Sequence, residues 1–274
     1  MYGDKIMKIL AFDIGGTKIS YAMVSQTGNL LSEVITTATP KKVEKIMELV
    51  QNAAAENNFD GVALATAGVV NKGQVLYKPL NLPSGYEKID WARLVRKPIL
   101  VENDANAAAW AEYKIGALKN YDNSLALTLG TGVGCGIIAE GRILHGKSGA
   151  AGEVADFPIS GPDLLKIAAD NGVEEQDCFR LYEAAKNGNK AAKKAYEQWE
   201  NSLVESLVLL NKVLDVERVA VSGSLAKTVD FAGVENAVNA KMVHNPISLK
   251  PAVCSNNAGL IGVALLLKNE LEQR

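Results

Sequence analysis

Apolar and polar positions alternate along the chain so as to give two runs of the same order. The first opens on an apolar strand, Lys8 to Phe12, closed by Asp13. Ile14-Gly15-Gly16-Thr17-Lys18 turns it into a second strand, Ile19 to Val24. Gln26-Thr27-Gly28-Asn29 is a hairpin turn to a third, Leu30 to Thr36. Thr39-Pro40 is expected to open a helix with Pro at its first position. Val43, Ile46, Met47, Val50 and Ala54 form its apolar stripe. Gly61 to Thr66 is apolar throughout, as in a strand covered on both faces, and ends at Ala67-Gly68. Trp91 to Leu94 reads as a short helix before a strand over 98–102, and an alanine-rich helix follows.

The order then begins again. Ser124 to Leu129 is a strand, Gly130-Thr131-Gly132-Val133-Gly134-Cys135-Gly136 a turn, and Ile137 to Ala139 a strand. Glu140-Gly141-Arg142 makes a hairpin turn before Ile143-Leu144. Helices are predicted over 162–170, 174–187 and 190–214. Ala195, Trp199, Leu203, Leu207 and Leu210 share one face of the longest. Glu217 to Ser222 is a buried strand ended by Gly223. Ala258 to Leu271 is a helix capped by Asn256 or Asn257, apolar round most of its circumference and therefore buried. The pattern is an internal duplication, with the crossing near 113–122. It predicts two α/β units facing each other across a cleft.

The join between the 98–102 strand and the alanine-rich helix is the first candidate site. An Asn103 side chain can cap the free N–H groups of the helix. Asp104 falls in its first turn, where the helix dipole favours a carboxylate. So placed, Asp104 could accept a proton from a bound hydroxyl. Alone, the pair reads as a plain cap; the two glycine turns change that. Glycines between strands let backbone N–H groups approach phosphate oxygens, and Thr17 adds a hydroxyl. Asp13 would face the same phosphates, which calls for a cation such as magnesium held through water. Gly130-Thr131-Gly132-Val133-Gly134 is the matching turn. The first turn is no Walker A loop, because a strand follows it. Gly134-Cys135-Gly136-Ile137-Ile138-Ala139 fits a dinucleotide fingerprint, the sole basis for a nicotinamide oxidoreductase. It too opens a strand where a helix is needed. Lys18 either lies near a phosphate or is a solvated strand charge.

Composition adds exclusions. The chain has 274 residues, 48% hydrophobic and 22% charged, with a net charge of −2. That suits a globular protein with ample core and gives no support for nucleic acid or a membrane surface. No run is long and apolar enough to span a bilayer. The first residues lack signal-peptide features, so a cytoplasmic location is expected. Cys135, Cys178 and Cys254 are too scattered for a disulfide framework or a zinc site. His145 and His244 are too isolated to argue for a metal.

Taken in order, four motifs resemble the ROK sugar kinases: Asp13-Ile14-Gly15-Gly16-Thr17-Lys18, Glu102-Asn103-Asp104-Ala105-Asn106-Ala107, Leu129-Gly130-Thr131-Gly132-Val133-Gly134 and Gly149-Ala150-Ala151-Gly152-Glu153. Asn257-Ala258-Gly259-Leu260-Ile261-Gly262 resembles the family's closing segment. The resemblance implies a two-domain actin-like (hexokinase-like, ribonuclease H-like) α/β fold with a duplicated βββαβαβα core. It assigns 1–113 plus 259–274 to the sugar and phosphate side and 114–258 to the nucleotide side. It further implies transfer of the ATP γ-phosphoryl group to the 6-hydroxyl of a hexose, with Mg²⁺ and with Asp104 as base. Glucose is the first expectation; an N-acetylhexosamine (N-acetylmannosamine or N-acetylglucosamine), a β-glucoside, or a sugar sensor without catalysis are alternatives. Asn103, Asp104 and Glu153 would bind sugar, as would Gly68 and Asn81, although Ser84 interrupts the usual loop. Gly223-Ser224-Leu225 stands where the family places a glycine pair beside the adenosine. Relatives are often dimers.

The departures carry expectations of their own. Asp156 stands where many members have a zinc-ligating His, and no cysteine cluster follows, so no structural zinc is expected. Asp156 either takes over a sugar contact or is solvated loop charge. The first strand begins within ten residues, which leaves no room for the winged helix of the family's repressors.

Overall fold

The structure, a computed structural model, describes residues 6–272 except 57, 78 and 243. Two five-stranded sheets carry the chain. The first is built from β1 (Lys8–Ile14), β2 (Lys18–Ser25), β3 (Ile35–Ala38), β4 (Gly61–Thr66) and β7 (Ile99–Asn103), in the order β3-β2-β1-β4-β7. β5 (Val70–Asn71) and β6 (Gln74–Val75) form a separate small hairpin. The second sheet holds β8 (Ser124–Leu129), β9 (Val133–Ala139), β10 (Arg142–Ile143), β11 (Arg218–Ser222) and β12 (Ser248–Pro251), in the order β10-β9-β8-β11-β12. Each sheet pairs its first three strands antiparallel and adds two parallel ones. The duplication predicted from the sequence is thus a repeated strand order.

Eight helices of α type occur among the described residues: α1 (Val43–Glu56), α2 (Trp91–Leu94), α3 (Asp104–Ile115), α4 (Gly161–Asp170), α5 (Cys178–Lys186), α6 (Lys190–Leu214), α7 (Phe231–Asn239) and α8 (Ala258–Glu272). The long α6 buries Ala195, Trp199, Leu203 and Leu207 against the second sheet, the face read from its spacing. α3 and α8 make a middle layer between the sheets. Leu260, Val263, Ala264 and Leu267 of α8 pack on Ile9, Ala11, Ala63 and Ala65 of the first sheet. Ala109 and Trp110 of α3 pack with Ala126, Ile138 and Ala220 of the second. The two helices cross so closely that a Cβ on Gly262 would lie 1.7 Å from the Ala107 carbonyl oxygen. The last helix, reached only after the second sheet, therefore covers the first.

Three local expectations are corrected. The third strand begins at Ile35, not Leu30. The Ser32 hydroxyl accepts the Met23 N–H (3.0 Å), and Leu30 keeps only an isolated bridge to Val24, so the ladder is interrupted. α1 begins at Val43, not at Pro40. Thr39 is tied to the glycine turn instead: its N–H reaches the Thr17 carbonyl (3.0 Å) and its hydroxyl the Gly15 carbonyl (2.6 Å). α8 is entered through a 3-10 turn over Ser255–Asn257. The sequence reading also lacked α7, β12 and the β5–β6 hairpin.

Candidate active site

A cleft of about 450 Å³ lies between the two halves. Asp13, Gly68, Asn103 and Asp104 line it from the first half. Thr128, Gly132, Gly134, Glu153, Ser222 and Gly223 line it from the second, with Ser255, Asn256 and Gly259 beneath.

The corner between β7 and α3 is held by a dense set of hydrogen bonds. The Asn103 side-chain oxygen accepts the Asn106 N–H (3.0 Å), the N-cap expected from the sequence. Its amide group donates to the Gly68 carbonyl (3.1 Å), fastening the loop after β4 to the corner. Asn106 in turn donates to Glu102 Oε1 (3.0 Å), which also accepts the Asn103 N–H (2.8 Å). Asp104 Oδ1 accepts the Ala105 N–H (2.9 Å), which leaves the other oxygen for the cleft.

Burial raises the Asp104 carboxyl to about 7. The charge of Asp13 adds to this, the Ala105 N–H opposes it, and Glu153 contributes less. A carboxylate titrating near neutrality can take up a proton and release it again. Burial also pushes the Asp13 carboxyl above its usual range, against the pull of Lys18. Asp13 touches α8 directly, since a Cβ on Gly259 would come within 2.9 Å of its Oδ2.

Across the cleft the second half offers small neutral groups. Thr128 Oγ1 and Ser222 Oγ are 2.9 Å apart. Gly223 has φ +91°, and a Cβ there would meet the Leu129 carbonyl oxygen at 2.1 Å, so only glycine fits. A second cavity of about 720 Å³ joins the cleft at Ser222, Gly223, Ser255 and Asn256, and extends to Ser224 and Lys227. Cys135 lines the cleft with a thiol that burial pushes up to about 12, which leaves it protonated and inert.

Other candidates do not line this cleft. Gly16, Thr17 and Asn81 line a separate cavity of about 580 Å³. Gly15, Lys18, Gly130 and Thr131 are not among the residues lining the cleft; Lys18 and Thr131 are exposed. Leu225 is buried in the core of the second half. Asp156 is exposed in a turn and does not line the cleft.

The sequence reading missed the pairing of His145 with Glu102, whose nearest atoms are 2.7 Å apart across the two halves. No spacing signal links positions 43 residues apart. It also missed Glu112, buried at the far end of α3, which accepts the Ala117, Val253 and Cys254 N–H groups. Both glutamates belong to the central corner and its helix, and both hold the second half.

The sequence profile of the ROK family matches residues 9–160 and 156–270. The chain belongs to the ROK family. Among curated relatives of this ROK chain, a glucokinase of Streptomyces coelicolor is 36% identical over 181 residues, 61% of this chain and 55% of that one. An N-acetylmannosamine kinase of Escherichia coli is 29% identical over 288 residues, 94% of this chain and 98% of that one. A solved ROK family glucokinase from Streptomyces griseus, in complex with glucose and AMPPNP, superposes with a TM-score of 0.76 at 26% identity. It covers 94% of this chain and 98% of that one. The fold is the actin-like hexokinase fold, and the ROK chain is an ATP-dependent sugar kinase. No described helix is long and apolar enough to cross a membrane.

Proposed function

We propose that the protein transfers the γ-phosphoryl group of ATP to the 6-hydroxyl of a hexose, with Asp104 as general base. One observation carries the reading: a carboxylate raised to about 7 stands on a rigid strand-to-helix corner, facing glycine turns across a cleft. Asn103, Gly68 and Glu153 line the same cleft and supply the polar contacts a sugar needs. ATP would lie along the second half. Gly132, Gly134 and Gly223 let the backbone come close to phosphate oxygens, and the adenosine would enter the adjoining cavity beside Ser224 and Asn256. In this division residues 1–113 plus 259–274 form the acceptor domain and 114–258 the nucleotide domain. The packing of α8 on the first sheet supports it.

The residues fit a magnesium ion held through water. Asp13, Asp104 and Glu153 share one cleft, and the charges of Asp13 and Glu153 both raise the Asp104 carboxyl. Among the described residues no three His, Cys, Asp or Glu side chains come together as a direct metal cage. Magnesium keeps several of its waters and binds through one or two carboxylates plus substrate phosphates; Asp13 would hold it so, and the ion would neutralise charge on the phosphates. The protein's own part begins with Asn103 and Glu153 holding the sugar. Asp104 takes the proton of the attacking hydroxyl as its oxygen bonds to phosphorus and the bond to ADP breaks. Positioning and charge neutralisation supply most of the acceleration.

Glucose is the first acceptor to test, because the Streptomyces relatives are glucokinases; the Escherichia coli relative puts N-acetylmannosamine next. Sugar-dependent ADP release is measured with glucose, N-acetylmannosamine, N-acetylglucosamine and a β-glucoside. A hexose 6-phosphate product with one of them is the expected outcome. Calorimetric sugar binding without ADP release would overturn the reading in favour of a sensor.

A further inference from the structure

Glu102 is the strand residue two positions before Asp104, and it is only 7% exposed. Its Oε1 is satisfied within its own half by Asn103 and Asn106. Among the described residues its Oε2 meets Nε2 of His145 at 2.7 Å, which comes from the second half. The His145 side chain is 46% exposed and borders a cavity of about 470 Å³ behind β7. Its backbone carbonyl accepts the Ala151 N–H (3.2 Å), closing the loop that leads to Glu153. That loop also rests on the β5–β6 hairpin, where a Cβ on Gly149 would lie 2.1 Å from the Val70 carbonyl oxygen. One histidine therefore touches both the strand that leads into Asp104 and the loop that carries Glu153.

We infer that His145 is a positioning residue for phosphoryl transfer, setting the distance between Asp104 and the Glu153 loop by holding Glu102 across the two halves. The inference rests on the acceptor site proposed above. It concerns only the acceptor side, because neither Glu102 nor His145 lines the cavity assigned to the adenosine. A shift of about 1 Å in reacting groups costs on the order of a hundredfold in rate, so a lost bridge is visible in kinetics. Leaving Glu102 buried with one unpaired oxygen would also destabilise the corner.

The test compares His145→Phe, which keeps the ring and removes the donor, with His145→Gln, which keeps a donor near the same place. With whichever sugar of the panel the wild type phosphorylates, His145→Phe is expected to raise the sugar KM about tenfold or more and lower kcat. The ATP KM should stay within about twofold, and His145→Gln should recover most of the loss. Equal shifts in both KM values, no shift at all, or a Gln variant no better than Phe would overturn the inference. Adding Glu102→Gln to His145→Phe removes the unpaired charge; restored sugar KM in that double variant would reduce the role to charge pairing and also overturn it. Amide exchange reads the bridge without any sugar. Faster exchange of the Gly146–Glu153 amides in His145→Phe supports the inference, and unchanged protection contradicts it. Absence of activity in the wild type would strike the acceptor reading and leave the exchange result standing.

Discussion

The two halves repeat one strand order and load it with opposite chemistry. Asp13 occupies the next-to-last position of β1, paired with Ser20; Thr128 occupies that position in β8, paired with Gly134. The corner after β7 carries Asn103 and Asp104 at the start of α3, whereas the segment between β12 and α8 carries Ser255 and Asn256 in a 3-10 turn. One half contributes carboxylates to the cleft from its strands and corner. The other contributes hydroxyls and glycines there, with Glu153 arriving only on a long loop. A duplicated scaffold has thereby become polarised. The acidic side can take a proton, and the neutral side can cradle an anion without repelling it.

The comparison is broken most completely by Asp104→Asn. It removes the proposed base while preserving size, and kcat should fall by ~10²–10⁴-fold with sugar affinity kept within a few-fold. Steady-state kinetics and calorimetry together check this. Thr128→Asp makes the neutral side resemble the acidic one. Like-charge contact with phosphate should raise the ATP KM more than about tenfold and leave sugar binding within about twofold, measured on the same panel. Gly223→Ala puts a Cβ against the Leu129 carbonyl at positive φ. It should cost about 1–3 kcal/mol of stability, seen in urea unfolding, and weaken ATP binding.

A smaller effect sharpens the comparison from the electrostatic side. In the ligand-free protein the Asp104 carboxyl should titrate near 7 by carbon NMR of the carboxyl groups. Asp13→Asn removes a charge that raises it, so the midpoint should move down while staying above the ordinary carboxylate range, because burial is the larger cause. The sign follows from the ionised form being the one that both burial and Asp13 disfavour. An unmoved midpoint would show that the two carboxylates do not sense each other.

Much of this organisation was legible in the chain. Gly61 to Thr66 is a strand with those bounds because an unbroken apolar run suits a strand buried on both faces. The Asn103 cap followed from residue type alone. What escaped had weaker patterns. β12 reads Ser-Leu-Lys-Pro, an edge strand with one buried position, and its N–H-less Pro251 argues against a strand. α7 contains Gly233 and two asparagines, poor helix formers that are offset by the Asp230 cap. Thr39-Pro40 resembled a helix start, but Thr39 is spent on the glycine turn. Among the residues that line the cleft, position along the chain pointed to Asp13, Asn103, Asp104, Gly132 and Gly134. It could not reveal that Asn81 and Gly16 face a different cavity, nor that His145 reaches Glu102. Those are consequences of how the two halves meet.

A crystal structure with the identified sugar and a non-hydrolysable ATP analogue tests the polarised cleft most directly. The account predicts the acceptor hydroxyl within about 3.2 Å of an Asp104 oxygen, with the terminal phosphate beside it against the backbone of the glycine turns. A sugar bound with that hydroxyl turned away from Asp104, or a nucleotide whose adenosine lies away from the cavity beside Ser224 and Asn256, would contradict it.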